Sequence, residues 1–342
     1  MHSRKIYLDT LEMRNDHSRA PRDLWTLPWA EVRYPDAIAE IRKTFPGDGV
    51  GTSGFPKERG IGRGNAYEPG TSTDDWGCEF VSIQEGIIGE VKRPQIASDD
   101  WAEADCVHIP REWLTVDREK IDDFCRAHPD KLRFGGCCPR PFEQLQFLRG
   151  TVNLYMDLMD MPENMVRFLA KMHAFYCELL ETWAKTEVDV LNFMDDWGSQ
   201  QSLLIPPALW RQVFKPMYKD YIDIAHAHGK KIFMHSDGNT LEIIPDLIEL
   251  GLDALNTQIF CIGIEKLAPF KGKITFWGEI DRQHLLPHGT ASDIENAVTE
   301  VYETLWDKGG CVAQCEFGPG GRPENVRKVF ETWDRLTARK SM

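Results

Sequence analysis

The chain has 342 residues, 42% of them hydrophobic, and a formal net charge of -14 at pH 7. Because such a charge repels phosphate groups and anionic lipid, we expect neither nucleic-acid binding nor binding to a membrane surface. Residues 1–25 are polar and charged and no run of about 18 apolar residues occurs. We therefore expect no signal peptide or membrane span, and a cytoplasmic protein.

The length suits one large α/β domain, so we expect residues 1–342 to form a single domain. Residues 1–130 are irregular in pattern, with Gly and Pro concentrated over 46–70. We expect 1–130 to form an N-terminal extension with loops that cover one mouth of a barrel. Over 131–342, short apolar runs alternate with amphipathic helices, which predicts the βα repeats of a parallel sheet.

Six apolar runs are predicted strands, each short enough for a barrel: 131–135, 188–194, 231–234, 252–256, 273–277 and 310–314. The spacing of apolar residues predicts a helix over 162–186 and a second one that begins near Pro206 and Pro207. Pro216 is expected to kink that second helix. A later helix is expected to begin with a capping box of Ser292 and Glu295.

Polar residues follow several of these strands directly. Because the carboxyl ends of parallel barrel strands meet at one mouth, where barrel enzymes keep their chemistry, we expect a common functional site. The predicted site residues at these positions are Asp195, Asp196, Trp197, His235, Asp237, Gln258, Trp277, Glu279, Asp281, Cys315 and Glu316.

A zinc site is one interpretation of three of these residues. His235 and Asp237 stand two residues apart at the end of an apolar strand, and Cys315 ends another. Imidazole, carboxylate and thiolate are all zinc ligands, and three protein ligands leave a fourth position open for substrate. The alternative is that His235 and Asp237 hydrogen-bond a substrate without any metal.

The acidic residues at the strand ends also allow two interpretations. Neighbours on a strand point to opposite faces, so one of Asp195 and Asp196 is expected to face the pocket while the other supports it. The pocket member would act as a general acid or base, or orient a histidine; the alternative is a cap for the following turn. Glu279, assigned to catalysis, and Asp281, assigned to substrate binding, allow the same two interpretations.

Substrate contacts are assigned to residues that follow the strands without obvious acid or base chemistry. Trp197 and Trp277 are candidates for an aromatic wall around an apolar or aromatic substrate, with plain packing as the alternative. Gln258 is expected to contact the substrate from the same mouth.

Segments 3–12, 74–77, 195–198, 233–238, 251–256, 276–281 and 309–325 together resemble the uroporphyrinogen decarboxylase superfamily. That superfamily also contains cobalamin-dependent methyltransferases acting on methanol, methylamines, methyl halides and aryl methyl ethers. The resemblance covers nearly the whole chain and implies a (β/α)8 TIM barrel. True decarboxylases share an arginine-rich N-terminal segment that binds porphyrin carboxylates, which residues 19–29 lack. An acidic mouth would also repel such a substrate, so the resemblance favours a methyl-transferring member.

The methyltransferase members resemble one another in a zinc site written His-x-Cys with a distant third Cys. His235 matches the first ligand and Cys315 the third, whereas Asp237 stands where the second is expected. A harder oxygen ligand in place of thiolate favours polarising an ether or hydroxyl oxygen. The resemblance thus implies a zinc-dependent methyltransferase that moves a methyl group from a small O-methyl donor to a corrinoid. That corrinoid would be carried by a separate protein, and Asp195, Asp196 or Glu316 would protonate or position the departing heteroatom.

Two other functions remain compatible with the sequence, because a fold does not determine a reaction. The first is a metal-free decarboxylase or lyase in which His235 and the mouth acids transfer protons. The second is a non-catalytic barrel that holds a small molecule.

Overall fold

The computed structural model describes residues 2–16, 19–52 and 57–338. The strands are β1 (Arg22–Thr26), β2 (Gly49–Gly51), β3 (Gly70–Thr73), β4 (Glu79–Ser82), β5 (Glu90–Val91), β6 (Leu132–Phe134), β7 (Val190–Met194), β8 (Lys231–Ser236), β9 (Ala254–Thr257), β10 (Thr275–Trp277) and β11 (Cys311–Phe317). The helices are α1 (Ser3–Leu11), α2 (Pro28–Arg33), α3 (Pro35–Thr44), α4 (Arg118–Ala127), α5 (Pro141–Arg149), α6 (Thr151–Asp160), α7 (Glu163–Ala184), α8 (Pro207–Ala227), α9 (Ile244–Leu250), α10 (Ile259–Ile262), α11 (Ile264–Leu267), α12 (Leu285–His288), α13 (Ala291–Leu305) and α14 (Pro323–Thr337).

Eight parallel strands form a nearly closed barrel with helices around it. The strand order is β1-β11-β10-β9-β8-β7-β6-β2, and all registers between neighbours are parallel. The two edge strands approach each other where the Asp48 N–H donates to the Arg22 carbonyl at 3.0 Å. The predicted TIM-barrel fold class is confirmed.

Two barrel strands, β1 and β2, lie within residues 1–130, which were expected to precede the main repeats. The sequence pattern hid both strands. In β2, Val50 stands between two glycines, and β1 begins with Arg22 and Asp23, so neither offers an apolar run. The barrel therefore begins at Arg22, and the true N-terminal extension is the segment before it.

Helix α1, within that extension, closes the amino-terminal end of the barrel. Arg4 pairs at 2.8 Å with Asp189, which directly precedes β7. Tyr7 is buried, and its ring lies 6.1 Å from that of Phe134 and 6.2 Å from that of Phe233, both inside the barrel. This closure leaves the carboxyl-terminal mouth for chemistry, as the fold class leads one to expect.

Strand alternation decides which side chains enter the barrel interior. Val312 of β11 belongs to the inner cluster with Val190, Ala254 and Trp277. Because side chains alternate along a strand, Gln314 and Glu316 share the inner side, whereas residues 311, 313 and 315 pack in the outer core against the helices.

The remaining strand and helix predictions lie within a few residues of the observed elements. All six predicted strands are present, α7 and α8 occupy the two predicted helices, and Pro216 lies inside α8. The predicted capping box is wrong by two residues: the Thr290 hydroxyl accepts from the Asp293 N–H at 3.2 Å, and Asp293 accepts from the Thr290 N–H at 2.8 Å. No helix among the described residues is long and apolar enough to cross a membrane.

Candidate active site at the carboxyl-terminal mouth

A cavity of about 670 Å³ opens at the carboxyl ends of the barrel strands. Its acidic and imidazole side chains are Asp23, Glu316 and His235, and its other aromatic residues are Trp25, Tyr67, Phe134, Phe193, Phe233 and Trp277. A neighbouring cavity of about 320 Å³ includes Trp113 and Trp183 and shares Gly136, Cys138 and Met194 with the first. A concave, aromatic-lined cavity with a few polar groups is typical of a small-molecule site.

The loops after β7 and β8 interlock at this mouth. The Gly198 N–H donates to the Asp237 carbonyl at 3.0 Å, and the Asp237 N–H donates to Asp196 Oδ1 at 2.9 Å. A Cβ atom at Gly238, whose φ is +76°, would lie 2.0 Å from the Gly198 carbonyl oxygen. The close backbone approach therefore requires these glycines, and it brings Asp196 and Asp237 to the same place.

His235 has a fixed orientation and tautomer. Its Nδ1 lies 2.6 Å from Asn256 Oδ1, and the Asn256 amide nitrogen donates to the Trp277 carbonyl. Because Asn256 then accepts through its oxygen, His235 Nδ1 carries the hydrogen. His235 Nε2 lies 3.6 Å from Asp196 Oδ1 and 3.7 Å from Asp237 Oδ1. This arrangement, with one ring nitrogen bonded behind and the other facing carboxylates, is typical of a metal-binding histidine.

Asp196, His235 and Asp237 form a group whose ligand atoms all lie within 4.8 Å of one another. Asp237 Oδ1 is buried and has no hydrogen-bond partner among the described residues. Leaving a buried polar group unpaired costs about 1–3 kcal/mol, a cost that a bound cation would remove. One imidazole and two carboxylates are accepted zinc ligands, so these residues fit a divalent metal ion.

Cys315, predicted as the third metal ligand, is not part of this group. It is fully buried and packs in the outer core, level with Leu24 of β1. The inward position at this end of β11 belongs to the next residue, Glu316, because the alternation runs from Val312. Asp196, in the loop after β7, is the third residue of this group.

Asp195 and Asp196 play different parts in the structure. Asp195 is fully buried, accepts from the Tyr218 hydroxyl at 2.6 Å and accepts from the Glu143 N–H at 2.8 Å. Burial raises the pKa of Asp195 well above its usual value, while these hydrogen bonds oppose that shift. Asp195 thus ties α5 and α8 to β7, and Asp196 is the acid at the mouth.

Trp197 and Trp277 also differ in their positions relative to the cavity. Trp197 is fully buried, stacks on Phe142 at 4.1 Å between ring centroids, and donates from Nε1 to the Tyr218 hydroxyl at 2.8 Å. It packs in the core and does not line the cavity, so its predicted substrate contact is wrong. Trp277 does line the cavity, and its Nε1 donates to Asp23 Oδ2 at 2.8 Å.

Arg282, which the sequence interpretation did not single out, holds three mouth acids together. Its guanidinium donates to Asp237 and, at 2.6 Å, to Glu316 Oε1, and its Nε lies 3.6 Å from Glu279 Oε1. Burial raises the pKa of Glu279 to about 8, although Arg282 opposes that shift. The sequence did offer a signal for Arg282: it is a single cation directly after Glu279 and Asp281, the acids that follow strand β10.

Gln258 and Asp281 lie in a separate side cavity of about 260 Å³, together with Glu279 and Arg282. Asp281 Oδ1 accepts from the backbone N–H groups of Gln283 and His284, each at 2.8 Å. The capping interpretation therefore describes Asp281 best.

Three further site residues were missed by the sequence interpretation: Asp23, Trp25 and Asn256. Asp23 and Trp25 lie on β1, which was not predicted as a strand. Asn256 was counted only as the end of a strand, but it pairs in register with His235 on the neighbouring strand. Register between neighbouring strands is the signal that would have identified it.

The family model and one full-length solved structure agree with this architecture. Residues 73–336 match the family model described as uroporphyrinogen decarboxylase (URO-D). A methyltransferase from Methanosarcina mazei has a TM-score of 0.68 at 15% sequence identity, covering 99% of this chain and 100% of that one. A D-psicose 3-epimerase in the presence of D-fructose has a TM-score of 0.39 at 11% identity, covering 66% of this chain and 84% of that one. No curated protein matches the chain. Because the family model spans more than half of the sequence, the chain belongs to the uroporphyrinogen decarboxylase family.

Proposed function

We propose that the protein is a zinc-dependent methyltransferase that moves a methyl group from a small oxygen-bearing methyl donor to a corrinoid on a separate protein. The observation that carries this proposal is the group of Asp196, His235 and Asp237, with His235 Nε2 facing two carboxylates. The family and the full-length fold similarity to a methyltransferase support it.

Asp196, His235 and Asp237 would hold the zinc ion. Bound there, zinc would supply Lewis-acid polarisation of the donor oxygen and so favour its departure from the methyl group. Asn256 places the hydrogen of the neutral His235 ring on Nδ1, through its 2.6 Å contact, so that Nε2 is the nitrogen available to a metal. Arg282 binds Asp237 through Oδ2, which leaves the unpaired Oδ1 for the metal.

Glu316 would position or protonate the oxygen that loses its methyl group. It lines the main cavity and faces the barrel interior, on the same side as His235. Burial raises the pKa of Glu316, while Arg282 and His235 oppose the shift. A carboxyl that lines the cavity on the same side as His235 is placed to position the departing oxygen or to exchange a proton with it.

A decarboxylase acting on a polycarboxylate is disfavoured by the charge of the cavity. Among the described residues that line it, Asp23 and Glu316 are acidic and none is lysine or arginine. A substrate with several carboxylates would meet repulsion and find no free cation there.

Metal content tests the proposed site. We expect elemental analysis of protein purified without added metal to find about one zinc per chain, in line with a three-residue catalytic site. His235→Ala should lose that zinc, whereas Cys315→Ala should keep it because Cys315 lies in the outer core. His173→Ala is a second control, since His173, Cys177 and Asp220 form another ligand-type group between α7 and α8.

Methyl transfer tests the reaction itself. Reduced cobalamin as acceptor should be methylated by O-methyl donors, and a chelator should abolish this activity. Absence of stoichiometric zinc, or full activity after chelation, contradicts the proposed metal site and favours a metal-free lyase. No turnover of any kind, with ligand binding intact, favours the non-catalytic barrel.

A further inference from the structure

The main cavity combines aromatic walls with negative charge. The ring centroids of Trp25 and Trp277 lie 4.9 Å apart at an interplanar angle of 88°, so the two indoles form a corner. Phe134 stacks on Trp277 with centroids 5.8 Å apart, and Phe233 meets the same ring at 5.0 Å. All four residues line the cavity.

A carboxylate stands at this aromatic corner. Asp23 Oδ2 accepts from Trp277 Nε1 at 2.8 Å and from Trp25 Nε1 at 3.1 Å. Both indole hydrogen bonds are made to the same oxygen, so neither uses Oδ1. Asp23 is therefore held in place by neutral donors, and it lines the cavity.

Burial raises the pKa of Asp23 to about 6, while the hydrogen bonds from Trp277 and Trp25 oppose that shift. No lysine or arginine is among the described residues that line the cavity with Asp23. The other cavity acid, Glu316, is already paired with Arg282 at 2.6 Å. The charge of Asp23 is thus the one that a ligand would balance, and an anionic ligand would be repelled by it.

We propose that the cavity binds a small organic cation whose methylated ammonium group sits against Trp25, Trp277 and Asp23. Indole faces attract cations through their quadrupole, and recognition of quaternary ammonium groups by aromatic cages rests on this attraction. The methyl groups of such a cation also gain from apolar walls, unlike the strongly hydrated head of a lysine or a metal ion. A neutral ligand would gain only a hydrogen bond by donating to Asp23, and would gain no charge pairing from it.

The cation site lies next to the proposed metal site. The ring centroids of Trp25 and His235 are 5.6 Å apart, so one small molecule spans both. That this cation is the methyl donor rests on the proposed function; that the cavity binds it does not. The substrate class is accordingly a small organic cation with an oxygen group that reaches His235.

Calorimetric titration with choline chloride and with its neutral isostere 3,3-dimethylbutan-1-ol tests the inference on the intact protein. The isostere has the same shape without the charge. We expect choline to bind at least about tenfold more tightly, since cation–π attraction and the carboxylate favour only the charged ligand. Equal affinities, or no binding of choline at millimolar concentration, would overturn the inference, and this comparison needs no variant.

Two matched substitutions test the assigned residues. Asp23→Asn should weaken choline binding about tenfold, whereas Asp75→Asn should leave it unchanged. Asp75 is a fair control because it also accepts from an indole, Trp113 Nε1 at 2.7 Å, and lies outside the main cavity. Unchanged affinity in Asp23→Asn would overturn the assignment. If that variant does not fold, Trp25→Leu with Trp113→Leu as its control makes the same comparison.

The titration separates this inference from the proposed function. Choline should still bind in His235→Ala and in the presence of a chelator, because the cation site uses Trp25, Trp277 and Asp23. Choline binding without any methyl transfer would overturn the proposed function alone. Methyl transfer from a neutral donor by a protein that does not bind choline would overturn the cation site alone.

Discussion

At the residue scale, the contact between His235 and Asn256 controls the proposed metal site. Asn256 Oδ1 lies 2.6 Å from His235 Nδ1, and its own amide nitrogen is bonded to the Trp277 carbonyl. Without this acceptor, nothing in the described contacts of Nδ1 would fix which ring nitrogen carries the hydrogen.

We predict that Asn256→Leu lowers the zinc affinity of the protein by about 10- to 100-fold, the range typical of a lost outer-shell partner. The measurement is a zinc titration against a competing chelator. Gln258→Leu is the control, because Gln258 lies in the side cavity. Equal affinity in the two variants would show that His235 is oriented by something other than Asn256.

The residue scale also shows what sequence reasoning can reach. His235 and Asp237 were identified because both lie at the end of one recognisable strand. The prediction of Cys315 as a metal ligand was wrong because a resemblance locates a ligand only approximately along the chain. Whether a side chain on a strand faces the barrel interior or the helices changes with every residue. Arg282 was missed because it acts through contacts with acids from three other positions, and such contacts exist only in the fold.

At the element scale, Asp195 and Tyr218 connect strand β7 to helix α8. The Tyr218 hydroxyl donates to Asp195 at 2.6 Å and accepts from Trp197 Nε1 at 2.8 Å. All three side chains are fully buried. The hydroxyl therefore satisfies two buried polar groups at once.

We predict that Tyr218→Phe lowers the free energy of unfolding by about 2–4 kcal/mol, since it leaves Oδ2 of the buried Asp195 carboxyl and the Trp197 indole N–H without a partner. Urea denaturation measures this change. Tyr221→Phe is a matched control on the same helix, because the buried Tyr221 hydroxyl has no partner among the described residues. Equal losses in the two variants would contradict the linking role of Tyr218.

Elements were predicted well where local pattern determines them and poorly where it does not. The long helices α7 and α8 carry apolar residues at three-and-four spacing, and each begins within two residues of its predicted start. Strand β2 is three residues long and contains two glycines, so its pairing with β6 rather than its composition makes it a strand.

At the scale of the whole molecule, the barrel has one closed end and one open end. Helix α1 closes the first, and its Tyr7 ring contacts Phe134 and Phe233, which also line the main cavity from the other side. The floor of the proposed site thus rests on the extension at the start of the chain. Sequence reasoning expected this extension to wrap a mouth, but the residues that it contacts are separated from it by more than a hundred positions, so no local pattern reveals them.

We predict that Tyr7→Ala lowers the free energy of unfolding by about 3–5 kcal/mol, the usual cost of removing a buried aromatic ring. The loss arises because Phe134 and Phe233 would then border a cavity inside the barrel. Tyr7→Phe is the control: the Tyr7 hydroxyl is buried without a described partner, so its removal should cost less than about 1 kcal/mol. Urea denaturation of both variants measures the two losses in the free energy of unfolding. A small loss in Tyr7→Ala would mean that the barrel is stable without the Tyr7 ring and that α1 covers its amino-terminal end without contributing to its stability. A loss of the predicted size would mean that the first residues of the chain complete the same inner core on which the cavity floor is built.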